Sequence, residues 1–308
     1  MTKRINLSID SIPCPICKES GTSIVWIGSF ENQFTDTTSP YACANTKTSR
    51  PTVYRCNFCN HHFTDPLMWP IDLGSEYESV IDENYLKLEP IKFKTFNRAA
   101  SNILRFFSRP SSLIEVGSYA GIFLDIMQAK GWDCVGIEPS SWGANYSRQK
   151  GLKVIQKSFE EAIECDTLVK VDLIASWDVL EHVKSPLHFL ENCAKLLNKG
   201  GYLALSTLDR TNLFARLTKS KWPWIIEMHL HYFDQKTIIE AARSFGLELV
   251  ETRAHVHYST IPYMLSKIFG DNKLTKFISR TGFLDSCAIP VGFGDVRYYI
   301  FQKENTLE

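Results

Sequence analysis

The chain has no uninterrupted apolar run of about 18 residues or more, so no membrane-spanning helix is expected. It also lacks an excess of either charge. Lys and Arg total 34 and Asp and Glu total 34, for a formal net charge of +0. Nothing here supports nucleic-acid binding through bulk charge, although a local basic patch stays open. The opening "MTKRINLSIDSIPC" has no long apolar stretch behind its basic residues and reads as a poor signal peptide. A cytoplasmic protein with no membrane partner is the expectation. Internal repeats and low-complexity segments are missing too. Glycine is scarce where a dinucleotide loop would need it. "LIEVGSYAGIFLDIM" carries Gly117 and Gly121 but not the third glycine of G-x-G-x-x-G, and Tyr119 stands between them.

Cysteine is present in an odd number, nine, and four fall in two C-x-x-C pairs, Cys14/Cys17 and Cys56/Cys59. A two-residue spacer turns two thiolates onto one ion, and two such pairs complete a closed tetrahedral site, for which zinc is the natural metal. A site with no open position stabilises structure and performs no chemistry. Four unrelated reduced thiols are the plain alternative. A redox pair fits less well, because neither C-x-x-C opens a βαβ unit. His61 and His62 follow Cys59 and compete as ligands, but adjacent residues point different ways. Cys43 reads as spare.

Residues 1–70 therefore read as a small zinc ribbon and 71–110 as a helical connector. In the connector, Phe93, Phe96, Ala100, Ile103 and Phe107 fall near one helical face. From 111 to 308, short apolar strands alternate with amphipathic helices, with a helical insertion at about 257–294. This pattern predicts an α/β fold: a Rossmann-like, mostly parallel seven-stranded sheet with helices on both faces. In such sheets the ligand lies at the carboxyl ends of the strands. Glu115, Glu138, Ser158 and Asp178 fall at or just past strand ends and should converge there. Glu138 ends the second strand, where a carboxylate accepts hydrogen bonds from both ribose hydroxyls of an adenosine. A pyrophosphate needs the missing glycine, whereas a sulfonium compound, with its cationic sulfur and ammonium, suits a loop with an acid at its entrance.

Taken in order, "EVGSYAG", "IEPS", "SFEEA", "SWDVLEHVKSP" and "LNKGGYLALST" resemble the successive motifs of the class I S-adenosylmethionine-dependent methyltransferases, over roughly residues 111–256 plus the last strand. The cysteine pairs ahead of such a domain further resemble the subgroup with an N-terminal zinc-binding domain, some of which methylate sugars. The resemblance implies S-adenosylmethionine as cofactor. Glu115, Gly117, Ser118, Tyr119 and Gly121 would form the loop around its methionine part. Glu138 would hold the ribose, and Ser158 and Phe159 would flank the adenine. Trp177 and Asp178 would lie beside the ammonium and sulfonium. Two positions depart from the family: glycine is common where Tyr119 stands, and an acid where Ser158 stands. Tyr77 and Tyr85 are lid candidates, or ordinary packing.

Methyl transfer needs a positioned acceptor and, where a proton must leave, a base. His182, in "VLEHV", and His229 and His231, in "EMHLHYF", are the candidates. The latter pair shares one face if extended and resembles the Glu/His/Tyr cluster of the sugar enzymes, with Glu227 and Tyr232 nearby. The stretch "RTNLFARLTKSKWPWII" is basic, then aromatic. It would guide an anionic acceptor or a sugar nucleotide onto Trp222 and Trp224, or it is a solvated amphipathic loop. The expected activity is methyl transfer to a small-molecule acceptor. A zinc-ribbon-guided nucleic-acid methyltransferase and a non-catalytic S-adenosylmethionine-binding protein are the alternatives.

Overall fold

The computed structural model describes residues 12–28, 50–78, 81–82, 85–86, 88–166, 168–260 and 288–305. Its first strands are β1 (Thr22–Trp26), β2 (Val53–Cys56) and β3 (His62–Thr64), followed by helices α1 (Leu73–Glu78) and α2 (Glu89–Leu104). A regular alternation comes next: β4 (Ser112–Val116), α3 (Ile122–Ala129), β5 (Asp133–Ile137), α4 (Ser141–Gln149), β6 (Val154–Ile155), α5 (Phe159–Glu164), β7 (Val171–Trp177), α6 (Pro186–Leu196) and β8 (Leu197–Leu208). The chain continues through α7 (Leu213–Thr218), β9 (His231–Tyr232), α8 (Gln235–Arg243), β10 (Leu247–Ala254), β11 (His257–Thr260), β12 (Ala288–Val291) and β13 (Val296–Lys303).

Seven strands form one sheet in the order β10-β13-β8-β7-β4-β5-β6. The five from β6 to β8 pair in parallel, and β13 runs antiparallel to both β8 and β10. Both faces are covered, which explains why the strands read as apolar runs rather than alternating ones. On one face Leu113, Leu173, Ala175 and Ala204 pack with α2 and α3. On the other, Ile114, Val116, Ile174 and Leu203 pack with Phe159 of α5, Phe189 of α6 and Ile238 of α8. Strand order reverses between β4 and β7, so the loops after these two strands border the crevice.

Three features differ from expectation. The buried stripe of α2 is Ile91, Thr95, Ala99, Ala100 and Ile103, while Phe93 is exposed. The small pair Ala99-Ala100 sets the contact face, and Phe93 falls off it. The expected helical pieces between β11 and β12 lie outside the described residues; at their margins β11 and β12 pair antiparallel. Third, the ribbon's sheet is not built from residues 1–70 alone, because it includes β9. This strand joins the cysteine-bearing strands in a second sheet, β1-β2-β3-β9, with Phe63 opposite His231 and His62 opposite Tyr232. Among the described residues no helix is long and apolar enough to cross a membrane.

Candidate functional site

The loop after β4 turns through two left-handed glycines, Gly117 at φ 73° and Gly121 at φ 71°. A β-carbon on Gly117 would lie 2.5 Å from Val179 Cγ2, so the position has neither backbone nor space for a side chain. Tyr119 also has positive φ, 46°. Its strain is offset by contacts on every side. The Tyr119 N–H donates to Glu138 Oε2 at 2.7 Å, and the hydroxyl donates to Asp82 Oδ2 at 3.2 Å. The ring meets Tyr85 edge-on at 4.7 Å and Trp142 at 5.5 Å. The acidic, tyrosine-bearing connector thus packs directly on the loop through Asp82 and Tyr85.

Glu138 is buried, and its other oxygen accepts from the Ser140 N–H at 2.7 Å. Burial raises its carboxyl to about 7, which the two backbone N–H groups only partly offset. Burial holds Glu115 well above the usual carboxylate range despite a bond from the Leu124 N–H. Glu115 Oε2 and Ser118 Oγ are buried and unpartnered among the described residues. Together they give the loop polar groups that a zwitterionic ligand would satisfy.

Ser158 and Phe159 reach the crevice as the start of α5. The Ser158 hydroxyl caps the helix by accepting from the Glu161 N–H at 3.2 Å and also donates to Glu161 Oε2. It is therefore committed to a capping box rather than presented to a ligand. Phe159 packs its ring on Phe189, and as the first helical residue its N–H has no partner inside the helix. The Trp177 ring is core, between Phe96 and Phe123 on one side and a stacked His255 at 5.9 Å, although its Nε1 is buried without a partner among the described residues.

Asp178 follows β7 at φ 55°. Its Oδ1 accepts from the Ser206 hydroxyl at 2.6 Å. Burial pushes it up, but the imidazoles of His257 and His255 and the Ser206 hydroxyl outweigh this and hold it low. Beside it lie Glu181, His182 and His229, whose ligand atoms all fall within 4.8 Å of one another. Burial and the charge of Asp178 lift Glu181 to about 8, and Thr207 donates to it at 2.7 Å. Burial lowers His182 to about 4 and His229 to about 3, so both imidazoles are neutral near pH 7. His182 Nδ1 lies 2.9 Å from the Met228 carbonyl, and His229 Nδ1 lies 2.7 Å from the Trp224 carbonyl. A carbonyl only accepts, so each ring carries its proton on Nδ1 and presents a bare Nε2 lone pair. The Tyr77 hydroxyl is 3.1 Å from the same His182 Nδ1. Two such imidazoles and a carboxyl have the donors of a general base and equally those of a divalent-cation site.

His231 parts from this group. The segment is extended only at His231–Tyr232, so His229 and His231 do not share a face. Both His231 nitrogens are engaged, Nε2 with the Val183 carbonyl at 2.9 Å and Nδ1 with His61 Nε2 at 3.1 Å. Trp222 is also misplaced by the aromatic reading. It is fully buried, and its Nε1 and that of Trp224 both donate to Asp295 Oδ2 at 2.9 Å. Only Trp224 keeps an exposed edge. His255, His257, Asp82 and Ser206 belong to the site and were not foreseen. A polar pair, Ser206-Thr207, closing an otherwise apolar strand was the one available signal.

The four paired cysteines do converge. Cys14 Sγ is 3.6 Å from Cys59 Sγ and Cys17 Sγ is 3.5 Å from Cys56 Sγ, with all four within 4.8 Å. A disulfide would need about 2.05 Å, whereas thiolates at about 2.3 Å from a tetrahedral zinc sit about 3.8 Å apart. The Phe58 and Cys59 N–H groups point at Cys56 Sγ, as they do at a thiolate. The donor set fits a structural zinc held by Cys14, Cys17, Cys56 and Cys59.

The family described as "Methyltransferase domain" matches residues 92–252, just over half of the chain. The chain belongs to this methyltransferase family. Its crevice is accordingly that of an S-adenosylmethionine-binding domain. Among curated relatives, it is 28% identical over 145 residues to a ubiquinone biosynthesis O-methyltransferase of Aliivibrio fischeri, covering 45% of this chain and 57% of the relative. It is 28% identical over 155 residues to the corresponding protein of Nitrosomonas europaea, covering 49% and 59%. The chain thus spans little more than half the length of the curated relatives it matches. The fold is shared with an S-adenosylmethionine-dependent methyltransferase of Archaeoglobus fulgidus, at TM-score 0.51 and 14% identity over 72% of this chain and 100% of that one.

Proposed function

We propose that this methyltransferase moves a methyl group from S-adenosylmethionine to a hydroxyl oxygen of a small molecule, with His182 and His229 as the base pair. The observation that carries this reading is the matched tautomer: two neutral imidazoles with Nε2 lone pairs, beside the acid at the end of β7. An oxygen acceptor is favoured because the curated relatives matched are O-methyltransferases by name.

When bound, S-adenosylmethionine supplies an activated methyl on a cationic sulfur. Glu138 holds the ribose hydroxyls, and the N–H at the start of α5 reads the adenine edge. The loop of Glu115, Gly117, Ser118, Tyr119 and Gly121 surrounds the methionine part, and Asp178 faces its positive charge. Asp82 and Tyr85 close the loop from the connector side. An acceptor hydroxyl within reach of His182 or His229 gives its proton to Nε2 as its oxygen takes the methyl in line. The S–CH3 bond breaks and its electron pair stays on sulfur, so the products are the methyl ether, the demethylated thioether and an imidazolium. His231 is assigned to holding these groups in place.

A nucleotide-linked sugar is the narrower acceptor. Its support is the four-cysteine ribbon and the exposed Arg216, Lys219 and Lys221 near Trp224. Burial of Trp222 removes one of its two stacking residues. Calorimetry with S-adenosylmethionine, the demethylated product and NAD, with mass detection of methylated catechols, phenols and sugar nucleotides, tests the proposal. Binding of both sulfur compounds and of no NAD is expected. No binding of either at about 1 mM would overturn it.

A further inference from the structure

His61 is fully buried at the joint between the two sheets, two residues past Cys59. Its carbonyl accepts from the Cys56 N–H at 2.8 Å, so the second cysteine pair fixes its backbone. The side chain points away from the thiols toward His231. His231 Nε2 faces the Val183 carbonyl, an acceptor, and so carries the proton. His231 Nδ1 is then the acceptor of the 3.1 Å contact, and His61 Nε2 is the donor. The contact sets one tautomer on each ring.

This pair lies where the methyltransferase domain is held to the ribbon. The Leu230 and His231 N–H groups both donate to the Glu181 carbonyl, at 2.8 and 3.1 Å. The Thr64 N–H donates to the Leu230 carbonyl at 2.9 Å. Two residues earlier, the Met228 carbonyl receives the Nδ1 proton of His182. The short segment 228–231 therefore clamps residues 181–183 from one side and is itself clamped by β3 and His61 from the other.

We infer that His61 is a positioning residue for the reaction centre: through His231 it fixes the segment that holds His182 and His229 with their Nε2 lone pairs free. The ribbon thereby does more than stabilise the chain. Its second cysteine pair sets the geometry of the base pair through the backbone of His61. The inference rests on the proposed base role only for its consequence on rate.

The test uses the full-length, zinc-loaded chain with 15N-labelled histidine. Long-range imidazole spectra should show His182 and His229 each as a single Nδ1-protonated tautomer. In His61→Phe, the His182 and His229 signals should move toward mixed tautomers. Exchange of the Leu230 and His231 amides should quicken at least 10-fold, while amides of β4 and β7 stay protected. His61→Gln, whose amide can donate from a similar position, should restore most of the native pattern. Titration with the demethylated cofactor product serves as the fold control and should be unchanged within a few-fold. Native tautomers and native exchange in a folded His61→Phe protein would overturn the inference, and so would a Gln variant no better than Phe. Failure of the base reading looks different: His182→Gln and His229→Gln would leave turnover intact, while the tautomer changes in His61→Phe would still occur.

Discussion

With Glu138 placed on the ribose as proposed, cofactor binding should strengthen as pH rises, whereas the group's own contribution to the unliganded fold falls. Its carboxyl is raised to about 7 by burial, against an ordinary 4.5. In the unliganded protein the folded state therefore holds a proton that the unfolded state has lost between these values. The contribution of this group to stability is full below pH 4.5 and is lost as pH rises through 7. Ribose hydroxyls donate hydrogen bonds and favour the ionised form. Binding should pull the carboxyl back toward its ordinary value and release a proton. If it returns to about 4.5, affinity at pH 5.5 is about 30-fold weaker than at pH 8, equivalent to about 2 kcal/mol.

The assay is calorimetry with the demethylated product across pH 5.5–8, in buffers of different ionisation enthalpy. Close to one proton should be released per ligand at pH 5.5–6. Glu138→Gln removes the titration. It also sets an amide N–H against one of the two backbone donors, Tyr119 or Ser140, which costs about 1–3 kcal/mol. That variant should bind weakly and with little dependence on pH in this window. Native protein that releases no proton and binds equally at pH 5.5 and 8 would refute the placement of Glu138 on the ribose.

Replacing His182 or His229 by Gln should lower kcat by about 10²–10⁴ with cofactor affinity changed less than a few-fold; an unchanged kcat for both excludes the base assignment. Gly117→Ala introduces a β-carbon 2.5 Å from Val179 Cγ2 at φ 73° and should cost about 2 kcal/mol of stability, read as a lower Tm, together with weaker cofactor binding. A native Tm would mean the loop tolerates a side chain there. Metal analysis should find about one zinc per chain. Chelation should lower Tm and deprotect the amides of β1–β3, because a four-thiolate site contributes directly to folding. A metal-free protein with the native Tm contradicts that role.

The large sheet was legible because its physics is local. Strands buried on both faces read as short apolar runs, and left-handed Gly131, Gly151 and Gly246 follow helices α3, α4 and α8. The acids were legible for a similar reason: Glu115 sits near the end of an apolar strand and Glu138 and Asp178 directly follow one, so their position along the chain is also their position at the strand ends. What escaped is long-range. Asp82 meets Tyr119 across 37 residues, Tyr77 meets His182 across 105, and His61 meets His231 across 170. No spacing rule reaches that far. The two-residue strand β9 is too short to show a period.

The histidines mark the boundary between the two kinds of information most sharply. Residue type and neighbourhood pointed to His182, His229 and His231 alike. Only the carbonyl opposite each Nδ1 or Nε2 tells them apart. His182 and His229 each spend Nδ1 on a carbonyl and keep Nε2, while His231 spends both nitrogens on the joint. A base needs a free lone pair and a held ring at once. Here the holding groups are backbone carbonyls at Met228 and Trp224, whose side-chain identity is irrelevant to the bond. The proposed reaction centre is therefore specified by the path of the main chain between Trp224 and His231, and that path pairs with the ribbon strand β3.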